Sequence, residues 1–149
     1  MLIDLHTHST SSDGTDSPTE LVNRAISKKI DVLALTDHDS TRGWDEALNT
    51  LLSHPSKTSM QLVQGAEISC QDSDGISIHM LGYMFDTEYQ PLLEVLERTR
   101  ENRVSRMERI IARLNEAGIE ISLEDVHAQR KGDATLGRPH LADALVARG

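Results

Sequence analysis

The sequence predicts an α/β fold in which a parallel sheet or barrel is followed by a helical region. Before residue 90, short apolar runs typical of buried strands alternate with polar loops and amphipathic helical stretches. After residue 90 the strand patterns stop, and apolar residues recur at helical spacing. With 149 residues and 38% apolar content, the chain matches one ordinary globular domain that can bury a core. We therefore expect the polar strand ends to face one side of the sheet.

Four apolar segments predict the strands of this sheet. Each is rich in Leu, Ile, Val or Met and gives way to polar or glycine-containing segments, as buried strands do where they end. The predicted strands cover Met1–Leu5, Asp31–Thr36, Gln61–Ile68 and part of Ile76–Phe85.

Helical spacing and capping residues predict the helices. Ser17 is a suitable N-cap and Pro18 a suitable first residue for a helix over Pro18–Lys29. We expect residues 1–90 to form the barrel part and residues 91–149 to form a helical insertion or lid. The Arg- and Glu-rich face of the long helix is expected to be solvated. The other predicted helices cover about Arg42–Leu52, Pro91–Ala117, a short stretch after Ser122, and Pro139–Arg148.

Composition limits the classes of function. A net charge of −9 and only 3% aromatic residues argue against a protein that neutralises many phosphates of duplex DNA, although a small phosphate-bearing substrate is compatible. The single cysteine, Cys70, excludes an intrachain disulfide. No apolar run approaches the ~18 residues of a membrane span, and no segment resembles a signal peptide. We therefore expect no membrane partner and a reducing, cytoplasmic setting.

Histidines and a glutamate recur near the ends of the predicted strands. His6 and His8 are two residues apart, so both imidazoles point to the same face of the first strand. His38 takes the equivalent position after the second strand, Glu67 ends the third, and His79 lies in the fourth. Imidazole nitrogens and carboxylate oxygens suit zinc, manganese and iron. This repetition predicts a metal site whose ligands come from successive strands.

Three carboxylates have candidate roles in such a site. Glu67 can bridge two ions, as two-metal hydrolysis of phosphate esters requires. Asp13, in the loop after His8, is a candidate ligand for a further ion, although Asp13-Gly14 can also be an ordinary turn. Asp37 can cap the following helix, or it can support a ligand or the substrate from behind.

The motifs around these residues resemble those of the polymerase and histidinol phosphatase (PHP) domain superfamily of metal-dependent phosphoesterases. The similar segments are Asp4-Leu5-His6-Thr7-His8-Ser9 with Ser12-Asp13-Gly14, Thr36-Asp37-His38-Asp39, Gly65-Ala66-Glu67-Ile68-Ser69 and His79-Met80-Leu81-Gly82-Tyr83.

The resemblance implies the N-terminal part of a distorted (β/α)7 barrel with a helical insertion. Members of the superfamily are longer than this chain, and their later strands supply further ligands, including a histidine in an Ala-His-Pro segment. No Ala-His-Pro segment occurs in the sequence. The resemblance therefore predicts that the C-terminal barrel half is absent from this chain and that its ligand set is incomplete.

Asp13 and the segment Gly137-Arg138-Pro139-His140 are similar to the nucleotide-directed branch of the superfamily. That branch removes the 3′ phosphate of nucleoside 3′,5′-bisphosphates, acts on nucleoside monophosphates or trims short RNA from its 5′ end. The resemblance implies two or three Mn, Zn, Fe or Mg ions, which polarise the phosphoryl group and activate a water. It implies metal ligation by Asp13 and the other candidate ligands. It also implies catalytic roles for Glu67 and for Asp37, the latter as support for a ligand or the substrate, and substrate contacts for Arg138 and His140.

Two alternatives stay open at the level of sequence. One is a phosphatase for a small ester that is not a nucleotide, such as histidinol phosphate. The other is a non-catalytic metal-binding domain.

Overall fold

The computed structural model describes residues 1–56, 58–86 and 88–149. It has the predicted α/β architecture, with most element ends within a few residues of the predicted ones. In chain order the elements are β1 (Ile3–Thr7), α1 (Pro18–Ser27), β2 (Val32–Leu35), α2 (Trp44–Ser53), β3 (Gln61–Gln71), β4 (Ser77–Tyr83), α3 (Gln90–Glu116), α4 (Leu123–Ala128) and α5 (Arg138–Arg148).

The sheet has the order β1-β2-β3-β4, and its first three strands are parallel. The prediction of a wholly parallel sheet is wrong for β4, which pairs antiparallel with β3. Only residues 72–76 separate these two strands, whereas a parallel connection needs about a dozen residues or more. The Asp72 carboxylate closes this tight turn by accepting the backbone N–H groups of Asp74 and Ile76.

β3 is longer than predicted because it pairs with two neighbours in succession. Its first four residues pair with β2, and the segment from Gly65 to Gln71 pairs with β4. A Cβ at Gly65 would lie 2.8 Å from the carbonyl oxygen of Gly82, so the close approach of β3 and β4 requires glycine there. Glu67 consequently lies inside a strand and not at its end.

Helices α1 and α2 pack on one face of the sheet and enclose the first hydrophobic cluster. The indole N–H of Trp44 donates to the Gly65 carbonyl oxygen at 3.0 Å and ties α2 to β3. Ser17 and Glu20 form a capping box that fixes the start of α1. The buried members of the cluster are Val22, Ala25, Leu33, Leu35, Trp44, Ala47 and Met60.

A second hydrophobic cluster joins α3, α4, α5 and the segments between them. Although α3 is 27 residues long, no helix in the described ranges is apolar enough to span a membrane. The division into parts at residue 90 stays a prediction, because separate clusters do not by themselves define domains. The buried members of this second cluster are Met107, Ile111, Ile121, Val126, Leu136, Leu141 and Ala144.

Backbone and side-chain hydrogen bonds join the segment before α5 to the first loop of the sheet. The Thr135 N–H donates to the Ser11 carbonyl oxygen at 3.0 Å, and Lys131 Nζ donates to the Thr15 carbonyl oxygen at 2.9 Å. These bonds hold the helical region beside the loop that follows β1.

Replacing Ser17 with alanine is expected to lower the free energy of unfolding by about 1 kcal/mol, because the hydroxyl that accepts the Glu20 N–H at the start of α1 is lost. Urea unfolding followed by the fluorescence of Trp44, which is buried, measures this change. Ser27→Ala, at the other end of the same helix, is the control and is expected to change stability by less than about 0.5 kcal/mol. Equal effects of the two substitutions would contradict the capping role.

Candidate metal centre

The four strands and the loops that follow them bring the predicted ligands to one place. His6 lies in β1, which begins and ends two residues later than predicted, and His8 follows that strand directly. His38 follows β2 and forms an isolated parallel bridge with Glu67. In the antiparallel pair of β3 and β4, Glu67 is opposite Leu81, so His79 is its diagonal neighbour on the same face.

The carboxylate of Glu67 is the centre of this cluster. Its Oε2 lies 2.7 Å from Nε2 of His6 and 2.8 Å from Nε2 of His8. Its Oε1 lies 2.5 Å from Nδ1 of His79. The Glu67 side chain is only 8% exposed, so one buried carboxylate is surrounded by imidazoles on both of its oxygens.

Asp13 extends the cluster away from Glu67. Its Oδ1 lies 3.1 Å from Nδ1 of His8, and its Oδ2 lies 3.5 Å from Nε2 of His38. The ring of His8 is therefore placed between two carboxylates. The candidate ligand atoms form three groups, and within each group the atoms lie within 4.8 Å of one another. The groups are His6, His8 and Glu67; His8, Asp13 and His38; and His38, Glu67 and His79.

Electrostatics favour the metal-competent protonation states of Asp13, Glu67 and His38. For His8, burial acts to lower the pKa, but the hydrogen bond with Asp13 and the nearby carboxylates raise it. Burial acts to raise the pKa of Asp13, but the hydrogen bond from His8 and the nearby charge of His38 lower it to about 2. The pKa of Glu67 is also lowered, because the His6 hydrogen bond and the other imidazoles outweigh burial. Burial and the Arg103 guanidinium lower the pKa of His38 to about 4. Ionised carboxylates and a neutral imidazole are the forms that bind divalent ions.

The residues present fit a divalent metal ion. The buried Nδ1 of His38 has no hydrogen-bond partner within the described part of the chain, and Glu67 Oε2 lies 3.7 Å away. A buried ring nitrogen without a partner costs about 1–3 kcal/mol unless a ligand satisfies it. The combination of imidazoles and carboxylates is the donor set of zinc, manganese and iron sites.

Asp37 is buried beneath the loop that follows β1. It accepts the Ser9 N–H at 2.8 Å, the Ser9 hydroxyl at 2.7 Å and the Ser12 hydroxyl at 2.6 Å. Burial raises the pKa of Asp37, although these hydrogen bonds oppose the shift. Ser12 Oγ in turn lies 3.3 Å from Nδ1 of His8. Asp37 thus acts on the ligands through the loop, and its predicted part in catalysis stays a prediction.

Arg103 is not among the residues predicted from the sequence, because the arginines of α3 are expected there to be solvated. Its Nε donates to Oδ2 of Asp39 at 2.7 Å, and its Nη2 donates to the Ser69 hydroxyl at 2.7 Å. Asp39 is 0% exposed and also accepts the N–H and the hydroxyl of Ser69. We call Asp39, Ser69 and Arg103 the α3 clamp, because they attach α3 to the end of β2 and to β3.

A sequence signal for this clamp did exist. Leu96, Met107 and Ile111 are the buried residues of α3, and Arg103 lies seven residues after the first and four before the second. An arginine on the apolar stripe of a helix needs a buried partner. Its partner, Asp39, could not be identified from spacing, because the two residues are 64 positions apart.

Of the two predicted substrate contacts, Arg138 lines the cavity beside the cluster, together with Asp13, His79 and Arg103. His140 is buried, and its Nδ1 accepts the N–H of Gly137 at 3.0 Å at the start of α5. One ring nitrogen of His140 is therefore already used. Substrate contact by either residue stays a prediction.

A buried carboxylate ringed by imidazoles on an α/β sheet defines an α/β protein with a candidate metal centre. Residues 4–146 match the PHP domain family, and the chain belongs to that family. The resemblance noted in the sequence is thereby confirmed.

Three similar proteins illustrate the membership. A 5′-3′ exoribonuclease of Haemophilus influenzae is 38% identical over 98% of this chain and 51% of its own length. A 3′,5′-nucleoside bisphosphate phosphatase of Chromobacterium violaceum is 33% identical over 99% of this chain and 50% of its own. A crystal structure from Bifidobacterium adolescentis, of a candidate metal-dependent phosphoesterase, is 37% identical with a TM-score of 0.86, covering 97% of this chain and 49% of that one. The chain thus spans about half the length of the relatives it matches.

Replacing Arg103 with methionine is expected to lower the free energy of unfolding by about 3 kcal/mol, because the buried Asp39 charge loses its partner. Adding Asp39→Asn to that variant is expected to recover at least about 1 kcal/mol, because the unpaired charge is then removed. Urea unfolding followed by Trp44 fluorescence measures both changes.

Arg98→Met is the matched control, since Arg98 is exposed on the same helix and forms no ion pair among the described residues. It is expected to change stability by less than about 0.5 kcal/mol. If Asp39→Asn lowered the stability of the Arg103→Met variant further, Arg103 would not be compensating a buried charge.

Proposed function

We propose that this chain carries the metal-binding part of a phosphoesterase that hydrolyses phosphate esters of nucleotides. The substrates would be nucleoside 3′,5′-bisphosphates, nucleoside monophosphates or the 5′ ends of short RNA. The observation that carries the proposal is the sharing of one buried carboxylate, Glu67, between two groups of candidate ligands. Relatives named as an exoribonuclease and a nucleoside bisphosphate phosphatase support the nucleotide class.

Two or three divalent ions, Mn, Zn, Fe or Mg, would be held by the three groups of the cluster. His6, His8 and Glu67 form one group, and His38 and His79 form another with the same Glu67. Bound divalent ions supply Lewis-acid polarisation of a phosphoryl oxygen and a water nucleophile at neutral pH. No side chain of the cluster then needs to act as a nucleophile.

The chain's own residues would position the substrate. Arg103, Arg106 and Arg138 line the cavity together with Asp13, His38 and His79. A guanidinium group pairs with two phosphate oxygens at once, so arginines that line the same cavity as the candidate ligands suit a phosphate ester. Asp37 would keep the loop that carries Ser9 and Ser12 in place while the substrate binds.

The metal cluster generates a binding prediction that does not depend on catalysis. Glu67→Gln is expected to weaken Mn(II) or Zn(II) binding by about 10–100-fold or more, because the shared carboxylate loses its charge. Isothermal titration of the chain measures the affinity. Glu108→Gln removes the same charge from an exposed position of α3 and is expected to leave the affinity unchanged. Equal metal affinities of the unchanged chain, the Glu67→Gln variant and the Glu108→Gln variant would contradict the ligand assignment.

The substrate class generates a second prediction. With Mn(II), we expect phosphate release from adenosine 3′,5′-bisphosphate to exceed release from histidinol phosphate, and Glu67→Gln to abolish it. Because the chain spans half the length of its relatives, the assay also uses the chain joined to the C-terminal half of the Chromobacterium violaceum relative. Faster turnover of histidinol phosphate would favour a small-molecule phosphatase. Metal binding without phosphate release from either substrate, by the chain alone or by the joined chain, would favour a non-catalytic metal-binding domain.

A further inference from the structure

A groove lined by arginines leads away from the metal cluster, between α3 and the β3–β4 hairpin. We call it the arginine groove and define it by Arg106, Arg109 and Arg113 of α3 and by Gln71 and Ser77 of the hairpin. The metal-site mechanism proposed above uses Arg106 only. The functions of Arg109, Arg113 and the hairpin residues are therefore open.

The groove is continuous with the cavity of the metal cluster. Arg103 and Arg106 line both that cavity and the adjoining part of the groove, which has a volume of about 340 Å³. Arg106 and Arg109 line the next part as well, which has a volume of about 380 Å³ and extends to Arg113. Each part has the size of a site for one small ligand, so a chain-like molecule could occupy the cavity and the groove together.

The three arginines that define the groove have no ionic partner among the described residues. Arg106, Arg109 and Arg113 form no ion pair in the described ranges, whereas Arg100 and Arg103 of the same helix pair with carboxylates. No carboxylate of the described chain lines either part of the groove. In a protein with a net charge of −9, a concave strip with arginines alone as its charged groups attracts anions selectively.

The spacing of these arginines favours a ligand with several anionic groups. Positions 106, 109 and 113 share one face of α3 and cover about 10 Å along its axis. Guanidinium groups pair with phosphate oxygens, and Gln71 and Ser77 add uncharged hydrogen-bonding groups on the opposite wall. No aromatic side chain of the described residues lines the groove, so a bound strand would be held by its backbone and not by base stacking.

We propose that the arginine groove binds the sugar-phosphate backbone of a single-stranded oligonucleotide whose terminal phosphate lies at the metal cluster. This inference rests on the proposed function for the direction of the strand, because it assumes that a nucleotide phosphate occupies the cluster. The groove would then favour oligonucleotides over single nucleotides without reading their sequence.

The test measures binding in the absence of hydrolysis. A fluorescein-labelled single-stranded RNA of ten nucleotides is titrated with the chain in EDTA, and fluorescence anisotropy gives the Kd at several salt concentrations. The double substitution R109Q with R113Q is expected to weaken binding about five- to thirtyfold. The slope of log K against log salt is expected to fall by about 1.4, which corresponds to two lost phosphate contacts on a single strand.

The matched control is K28Q with R98Q, which removes the same two charges from exposed positions outside the groove. It is expected to change the Kd less than twofold. Equal weakening by both double variants would overturn the proposal, because it would show a general charge effect, and so would the absence of RNA binding by the unchanged chain.

Turnover of adenosine 3′,5′-bisphosphate separates this inference from the proposed function. The groove variant is expected to retain this turnover, and its loss would instead assign Arg109 and Arg113 to the metal site and overturn the groove proposal. Groove-dependent RNA binding without any phosphate release, either from the chain alone or from the chain joined to the C-terminal half of the relative, would overturn the proposed function and retain the groove.

Discussion

Placing a carboxylate inside a protein is unfavourable unless positive or hydrogen-bonding groups surround it, and Glu67 is such a carboxylate. His6, His8 and His79 surround its two oxygens at 2.5–2.8 Å. His6 and His8 come from the end of β1 and His79 comes from β4, so the position of Glu67 depends on the register of β1, β3 and β4. The site therefore requires that β3 pair first with β2 and then with β4.

The helical region is attached to the sheet by a second buried charge. Asp39 is fully buried and is compensated by Arg103 of α3, with Ser69 of β3 bonded to both. The same guanidinium helps to lower the pKa of His38, so the attachment of α3 and the electrostatics of the cluster are linked. Movement of α3 would change both the cavity wall and the electrostatic environment of His38, a candidate ligand.

Net charge gives a misleading impression of this protein when it is considered without geometry. The whole chain is acidic, yet arginines line the cavity beside the metal cluster, and no carboxylate of the described residues lines the adjoining groove. Acidic residues elsewhere on the surface account for the total. An acidic protein with a local basic strip can therefore bind a phosphate-bearing ligand while the rest of its surface repels nucleic acid.

The sequence by itself determined the α/β class, the helices and the identity of the candidate ligands, because apolar periodicity, capping residues and recurring His and Glu are local signals. Tertiary structure decided the antiparallel direction of β4, the central place of Glu67 and the pairing of Arg103 with Asp39. A short turn sets the direction of β4, and the other two features join residues far apart in the chain. Periodicity shows which face of an element is buried, whereas the partner of a buried charge is fixed only when the elements pack.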